Sequence, residues 1–173
     1  PEWQQNLLVP HQPFRAERHI FKVSLGKVWR RIAITGEATL ANLSELILDS
    51  VDFDHDHLDQ FTYKTFNGRT VEVCHPDVMR GSLTTEDVQI GRLPLAPGST
   101  LEYLFDFGDC WRFQVQLETV EAPAPEPPPK GFGKMKGKMK GKKKQPRSRQ
   151  PLGEVIEVHG AAPDQYPDYD DDW

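Results

Sequence analysis

Alternating hydrophobic and polar residues in the middle of the chain predict a β-hairpin between positions 101 and 118. Large apolar side chains occupy every second position of two arms: Leu101, Tyr103, Phe105 and Phe107, then Trp111, Phe113, Val115 and Leu117. A period of two in both arms indicates two strands that share one buried face. The residues between the arms, Gly108-Asp109-Cys110, favour a turn.

The register of this hairpin follows from the loop length that keeps the apolar faces together. A two-residue loop breaks the apolar face, because a one-residue change of register turns every side chain over. We therefore expect a three-residue loop at 108–110, with Phe107 opposite Trp111. The same register makes Asp106 and Arg112 a cross-strand ion pair.

Two earlier strands and one helix are predicted on similar grounds. The runs 20–25 and 29–35 are strand-like and are joined across Gly26-Lys27. Thr39 is a suitable helix N-cap, because its hydroxyl can accept a hydrogen bond from a first-turn amide. Apolar residues then follow at helical spacing, which predicts an amphipathic helix from Thr39 to about Val51.

A second hairpin and a late strand complete the predicted sheet. The runs 61–66 and 69–74 flank Asn67-Gly68, the preferred pair for a type I′ turn. Residues 154–158 can add a late strand. These elements predict an α+β fold with a mostly antiparallel sheet and one main amphipathic helix. Two strands, a helix and then further hairpins are compatible with a β-grasp-like core.

Composition divides the chain into four predicted parts. An irregular N-terminal arm (1–18) precedes the α+β domain (19–121), which is followed by a Pro-rich and Lys/Gly-rich flexible linker (122–152) and an acidic tail (153–173). The Gly-Lys repeat in the linker has too few apolar residues to offset the entropy of ordering it.

Charge is strongly segregated along the chain. Residues 130–149 hold eight Lys, two Arg and no acid, a charge of +10. The remainder has 11 basic and 26 acidic residues, a charge of −15, although the whole chain is only at −5. Nucleic acid or an acidic protein is therefore an expected partner only for the basic segment, with Lys142, Lys143 and Lys144 as candidate contacts. The alternative, which we favour, is a flexible linker.

Two cysteines and the hydropathy pattern bear on the compartment. Cys74 and Cys110 have no CxxC spacing, so neither a disulfide framework nor a zinc ribbon is expected. No apolar run approaches the length of a membrane span, and no signal-peptide pattern opens the chain. We expect a cytoplasmic protein with reduced thiols and no membrane partner.

One acidic segment contains residues that could bind a metal ion. Imidazole and carboxylate groups alternate from Asp52 to His57, and both are ligands for zinc or a harder divalent ion. His55, His57 and Asp109 are the candidate metal ligands. The alternative is a solvated acidic loop without a cofactor, which we favour.

Several residues of the main hairpin have both a functional and a structural interpretation. Asp106 and Asp109 are candidate catalytic carboxylates, but Asp109 at the loop tip can instead bind the loop amides, as turn residues do. Tyr103, Trp111 and Arg112 are candidate binding residues. We expect Tyr103 and Trp111 to be core anchors, since they share the face that must be buried.

Four sequence elements together resemble the plasmid pRiA4b ORF-3-like family, whose members are often labelled TnpR-like insertion-element passengers. They are Val28-Trp29-Arg30-Arg31-Ile32, the helix from Thr39, the pattern His57-Leu58-x-x-Phe61, and the run from Leu101 to Trp111 with its Asp-Phe-Gly-Asp-x-Trp motif. The resemblance implies an α+β fold and an association with mobile genetic elements. Phe113 stands where similar proteins commonly have His, and the Lys-Gly repeat replaces a segment with Cys and Pro-Pro-Glu-Asp.

The sequence excludes several enzyme classes. The Asp106-Phe-Gly triplet lacks the His-Arg-Asp and glycine-rich loops of a protein kinase. Arg30 and Arg31 are the only adjacent arginines, lie on a predicted strand, and do not make the Arg cluster of a serine recombinase. We expect a binding or interaction module and not an enzyme. The alternative is a divalent-metal-dependent enzyme that uses His57, Asp106 and Asp109.

Overall fold

The computed structural model describes residues 13–78, 83–122 and 151–166. Its elements follow the order β1 (Arg18–Leu25), β2 (Val28–Thr35), α1 (Leu40–Ser50), β3 (Asp59–Lys64), β4 (Thr70–Cys74), a short 3-10 turn (Ile90–Arg92), β5 (Thr100–Phe105), β6 (Trp111–Glu121) and β7 (Gly153–His159). The strands form one sheet in the order β4-β3-β5-β6-β1-β2-β7, and each pair of neighbouring strands is antiparallel. The predicted α+β class with a mostly antiparallel sheet is confirmed.

Helix α1 begins where its capping signal predicts. The Thr39 hydroxyl accepts the amide of Asn42 at 3.3 Å, and the Asn42 side chain accepts the amide of Thr39 at 3.1 Å. This reciprocal pair satisfies two donors that a helix start otherwise leaves free. The buried stripe of the helix consists of Leu40, Leu43, Ser44, Ile47 and Leu48. One member of this stripe, Ser44, is polar.

The core is formed between α1 and the central strands. Phe21, Phe61, Tyr103 and Phe113 are each at most 1% exposed. The ring of Tyr103 lies 4.5 Å from Phe61 and 5.6 Å from Phe113, measured between centroids. These strands therefore contribute a continuous aromatic layer beneath the helix.

The main hairpin has the predicted face but not the predicted register. Phe105 pairs with Trp111 and Leu104 with Arg112, so the loop has five residues and the expected three-residue loop is wrong. Asp106 causes the difference: it adopts a left-handed φ of 55°, and its carboxylate accepts the amides of Gly108 and Asp109 at 2.8 and 3.4 Å.

Two further expectations for this hairpin are corrected by the same register. Asp106 is not paired with Arg112, because it belongs to the loop and Arg112 contacts Glu102 at 2.5 Å. Phe107 is not opposite Trp111 on the buried face, and its side chain is 41% exposed.

The second hairpin also turns differently from the prediction. Lys64 pairs with Thr70, and the Thr65 amide donates to the Arg69 carbonyl at 2.9 Å. Gly68 has a φ of 79°, but Asn67 does not have a positive φ. A type I′ turn needs positive φ at both central residues, so that prediction is wrong.

The late strand and a buried arginine close the far end of the sheet. Strand β7 pairs with β2, which confirms the strand predicted near 154–158. Arg30 is 3% exposed and donates to the carbonyls of Ser50, His159 and Gly160 at 2.7, 2.9 and 3.2 Å. It thereby joins the end of α1 to the end of β7.

Within the described residues, no helix is long and apolar enough to cross a membrane.

Candidate functional site

A polar pocket lies beside helix α1, where β3 begins and β4 ends. Its volume is about 170 Å³. Its lining includes three carboxylates and three imidazoles: Glu45, Asp59, Glu86, His55, His57 and His75. None of the described residues that line it is Lys or Arg.

Five parts of the chain bring these side chains together. Helix α1 contributes Glu45, the loop after it contributes two histidines, and β3 begins at Asp59. The His75 amide donates to the Asp59 carbonyl at 2.9 Å, which holds the end of β4 beside the start of β3. The Ala41 amide donates to the Thr85 carbonyl, also at 2.9 Å, so the segment around Thr85 is fixed against the first turn of the helix.

A chain of buried hydrogen bonds ends on Asp59. The Ser44 hydroxyl donates to Asp59 Oδ2 at 2.6 Å, and Tyr103 lies 2.6 Å from the same hydroxyl oxygen. Since the Ser44 proton is directed at the carboxylate, the phenol of Tyr103 is the donor to Ser44. Asp59 is 5% exposed, Ser44 6% and Tyr103 0%, so the chain is shielded from solvent.

Burial shifts the protonation equilibria of this chain. Burial raises the pKa of the Asp59 carboxyl, while the Ser44 hydrogen bond, the charge of His75 and the Tyr103 hydrogen bond lower it in part. Burial raises the pKa of Tyr103 well above its usual range, and the charge of Asp59 acts in the same direction. Tyr103 is therefore a protonated donor at neutral pH.

Two buried oxygens of the pocket have no partner. Asp59 Oδ1 and Thr85 Oγ1 are inaccessible to solvent and accept or donate no hydrogen bond within the described part of the chain. Thr85 is 1% exposed, and both residues line the pocket. Buried polar atoms are nearly always paired, so an unpaired carboxylate oxygen is costly and favours a donor from a ligand or an ordered water.

The acidic loop that contains the candidate metal ligands lies at the edge of the pocket. His57 Nε2 is 3.6 Å from Asp106 Oδ2 and 3.1 Å from the hydroxyl of Tyr166, and His55 Nε2 is 2.9 Å from Asp49. Asp109 offers its backbone amide to Asp106. Among the residues that the structure describes, no three His, Cys, Asp or Glu side chains are grouped to hold a metal ion.

The remaining candidate residues lie in different places. Tyr103 is buried and reaches the pocket only through Ser44. Trp111 packs edge-on against Phe53 with centroids 4.9 Å apart, and Arg112 pairs with Glu102 on the surface. The candidate lysines, Lys142, Lys143 and Lys144, lie outside the described residues.

Ser44 and Asp59, the central residues of the pocket, were not among the candidates predicted from the sequence, although each had a recognisable signal. Ser44 falls on the apolar stripe of α1, where it is the one polar member. Asp59 has the same parity as Phe61 in β3, so its carboxyl faces the core side of the sheet. Polar residues at core positions are exceptions that call for a partner. His75, Thr85 and Glu86 gave no comparable signal.

The fold and the sequence both match known proteins. The model of the family described as plasmid pRiA4b ORF-3-like protein matches residues 20–162. The crystal structure of a protein of unknown function from Methanosarcina mazei Go1 is similar, with a TM-score of 0.57 and 20% identity. That similarity covers 66% of this chain and 65% of the other, just under two thirds of its length, and it supports the fold alone. No curated protein matches the chain.

Proposed function

The chain belongs to the plasmid pRiA4b ORF-3-like family, and the description of that family names no activity. We therefore propose a function from the geometry of the pocket. The protein is a binding module that takes a small polar ligand in the pocket around Asp59. The observation that carries this proposal is the pair of buried, unpartnered oxygens, Asp59 Oδ1 and Thr85 Oγ1, in the lining of one cavity.

The size and composition of the pocket support a small ligand. A volume of about 170 Å³ is larger than one water molecule requires. It is smaller than the roughly 300–1,000 Å³ typical of sites for drug-sized compounds. Apolar walls from Leu48 and Phe105 accompany the polar groups, as is usual for sites that fix a ligand by a few directed hydrogen bonds.

A fragment titration followed by amide NMR tests this function. Fragments of cationic, neutral and anionic types are added singly to the full chain, and the expected result is a saturable shift of amides around Ser44, Asp59 and Thr85. Thr85→Val keeps the side-chain volume but removes Oγ1, so it should weaken the same response. Glu102→Gln is the matched control, since Glu102 is exposed, pairs with Arg112 and does not line the pocket. Shifts that are absent or scattered over the surface for every fragment would refute the proposal.

The basic segment at 130–149 is a second candidate binding element. Its charge of +10 favours nucleic acid or an acidic protein. The described strands before and after it in the chain, β6 and β7, belong to one sheet and are separated there by β1 and β2. Deletion of 130–149 should abolish any salt-sensitive binding of single-stranded DNA. Unchanged binding after the deletion would contradict this role.

Other expectations stay predictions. These are the association with mobile elements, the TnpR-like label, the cytoplasmic location and the β-grasp-like likeness. The metal-dependent enzyme built on His57, Asp106 and Asp109 also stays a prediction, and elemental analysis of protein purified without a metal-affinity tag tests it. A stoichiometric divalent metal that is lost in His57→Ala would favour that enzyme over the binding module.

A further inference from the structure

We propose that the ligand of the Asp59 pocket is a small organic cation whose polar groups are N–H donors, such as a guanidinium or a primary ammonium. This inference rests on the proposed function and specifies the chemical class of the ligand. It follows from the charge of the lining, the type of hydrogen-bonding group that is unpartnered, and the shape of the walls.

The charge of the lining favours a cation. Glu45, Asp59 and Glu86 contribute three carboxylates, and none of the described lining residues is a permanent cation. Glu45 and Glu86 are exposed, so solvent screens their charge, whereas Asp59 is buried and attracts a positive ligand more strongly than it would in water.

The three histidines do not cancel this negative charge, because each has its own carboxylate neighbour. His55 Nε2 lies 2.9 Å from Asp49, and His75 Nδ1 lies 3.7 Å from Asp77. His57 Nε2 has two acidic neighbours, Asp56 at 3.4 Å and Asp106 at 3.6 Å. Each imidazole therefore has a carboxylate neighbour outside the pocket lining, which offsets part of any positive charge that it carries.

The unpartnered atoms require a donor. Ionised Asp59 Oδ1 can only accept a hydrogen bond, and Thr85 Oγ1 can accept one through its lone pairs. Ammonium and guanidinium groups have donors and no acceptors, so they match the hydrogen-bonding need of each oxygen. A carboxylate or phosphate ligand would instead place acceptors against an acceptor.

The other walls limit the size and shape of the cation. Ala41, Leu48, Pro76 and Phe105 line the pocket with apolar surface. A methyl or short alkyl substituent can lie against these side chains while the charged end reaches Asp59.

Methylguanidinium and N-methylurea form a matched pair of probes for this proposal. They have nearly the same shape, but only the first is charged and lacks an acceptor. In amide NMR titrations of the full chain at neutral pH, methylguanidinium should shift Ser44, Asp59, His75 and Thr85 in a saturable manner. N-methylurea should bind at least about tenfold more weakly, as expected when a charge-assisted hydrogen bond becomes a neutral one.

Variants separate the inference from the proposed function. Asp59→Asn should weaken methylguanidinium binding at least about tenfold, because the charged acceptor is lost. Thr85→Val should weaken it to a smaller extent and serves if Asp59→Asn does not fold. Glu102→Gln should leave it unchanged. Equal or tighter pocket binding of N-methylurea or acetate would overturn the cation class and leave the binding function standing, whereas failure of all three probes would count against both.

Discussion

The buried carboxyl of Asp59 should make the stability of the protein depend on pH in a way that Asp59→Asn removes. Burial raises the folded-state pKa of this group, so the folded state holds the proton more tightly than the unfolded state does. Below the unfolded pKa, about 3.9, the carboxyl is neutral in both states and imposes no cost. As the pH rises from there through the raised folded pKa, the cost of a buried charge appears in full.

The magnitude follows from two opposing contributions. An ionised carboxylate that is only 5% exposed carries a burial penalty of several kcal/mol. The hydrogen bond from Ser44 offsets about 1.5–3 kcal/mol of it, the usual range for a bond to a charged group. The remainder, on the order of 1–2 kcal/mol, is the amount by which the free energy of unfolding of Asp59→Asn should improve relative to the wild type as the pH rises from the unfolded pKa through the raised folded pKa.

Urea unfolding monitored by circular dichroism at several pH values measures this difference. Only the change in the difference with pH is used, because the new amide group has its own hydrogen-bonding cost that does not vary over this range. Glu102→Gln is the control, since its exposed pair with Arg112 should give a small and nearly constant effect. The prediction is refuted if the difference in the free energy of unfolding between Asp59→Asn and the wild type is the same at every pH. It is also refuted if the variant becomes more stable relative to the wild type towards acid pH.

Three further substitutions test other parts of the structure, each by urea unfolding. Arg30→Met should lower the free energy of unfolding by about 3–5 kcal/mol, because it leaves buried carbonyls at the ends of α1 and β7 without their charged donor. A loss below about 1 kcal/mol would contradict the role of Arg30 in joining these two ends. Tyr103→Phe should cost about 0.5–1.5 kcal/mol, since it removes one hydrogen bond and keeps the ring, whereas a cost above 3 kcal/mol would mean that the ring itself is displaced. Asp106→Ala should cost about 1–3 kcal/mol and speed the hydrogen exchange of the Gly108 amide, and unchanged exchange would show that the carboxylate does not hold the loop.

The elements that were predicted correctly are those with local signals. The cap at Thr39, the apolar stripe of α1 and the two-residue link between β1 and β2 each depend on residues close together in sequence. The late strand was also visible, but its place beside β2 was not, because it depends on long-range contacts such as those of Arg30.

The two loops were predicted wrongly for different physical reasons. Loops of three and five residues keep the same side chains on the same face, so parity could not distinguish them at Asp106. There a side chain that binds loop amides decided the length. In the second hairpin, the preference of Asn67-Gly68 for a tight turn was outweighed by the pairing of Phe61 with Val73, both of which are buried.

Most of the residues that line the Asp59 pocket could not be predicted from the sequence. Its side chains come from α1, the acidic loop, the start of β3, the end of β4 and the segment around Thr85. No regular sequence spacing links these positions. Ser44 and Asp59 could have been noticed as polar residues at core positions. Their contact at 2.6 Å, and the oxygen left unpaired, could only come from the structure.

The carboxyl carbon resonance of Asp59 tests most directly whether the pocket around this residue binds the ligand. Its ¹³Cγ shift is followed by NMR against pH, with and without saturating methylguanidinium. A cation bound at the carboxylate favours the charged form, so the ligand should move the titration midpoint to lower pH. A midpoint that is the same with and without the ligand would contradict the claim that the Asp59 pocket is the binding site.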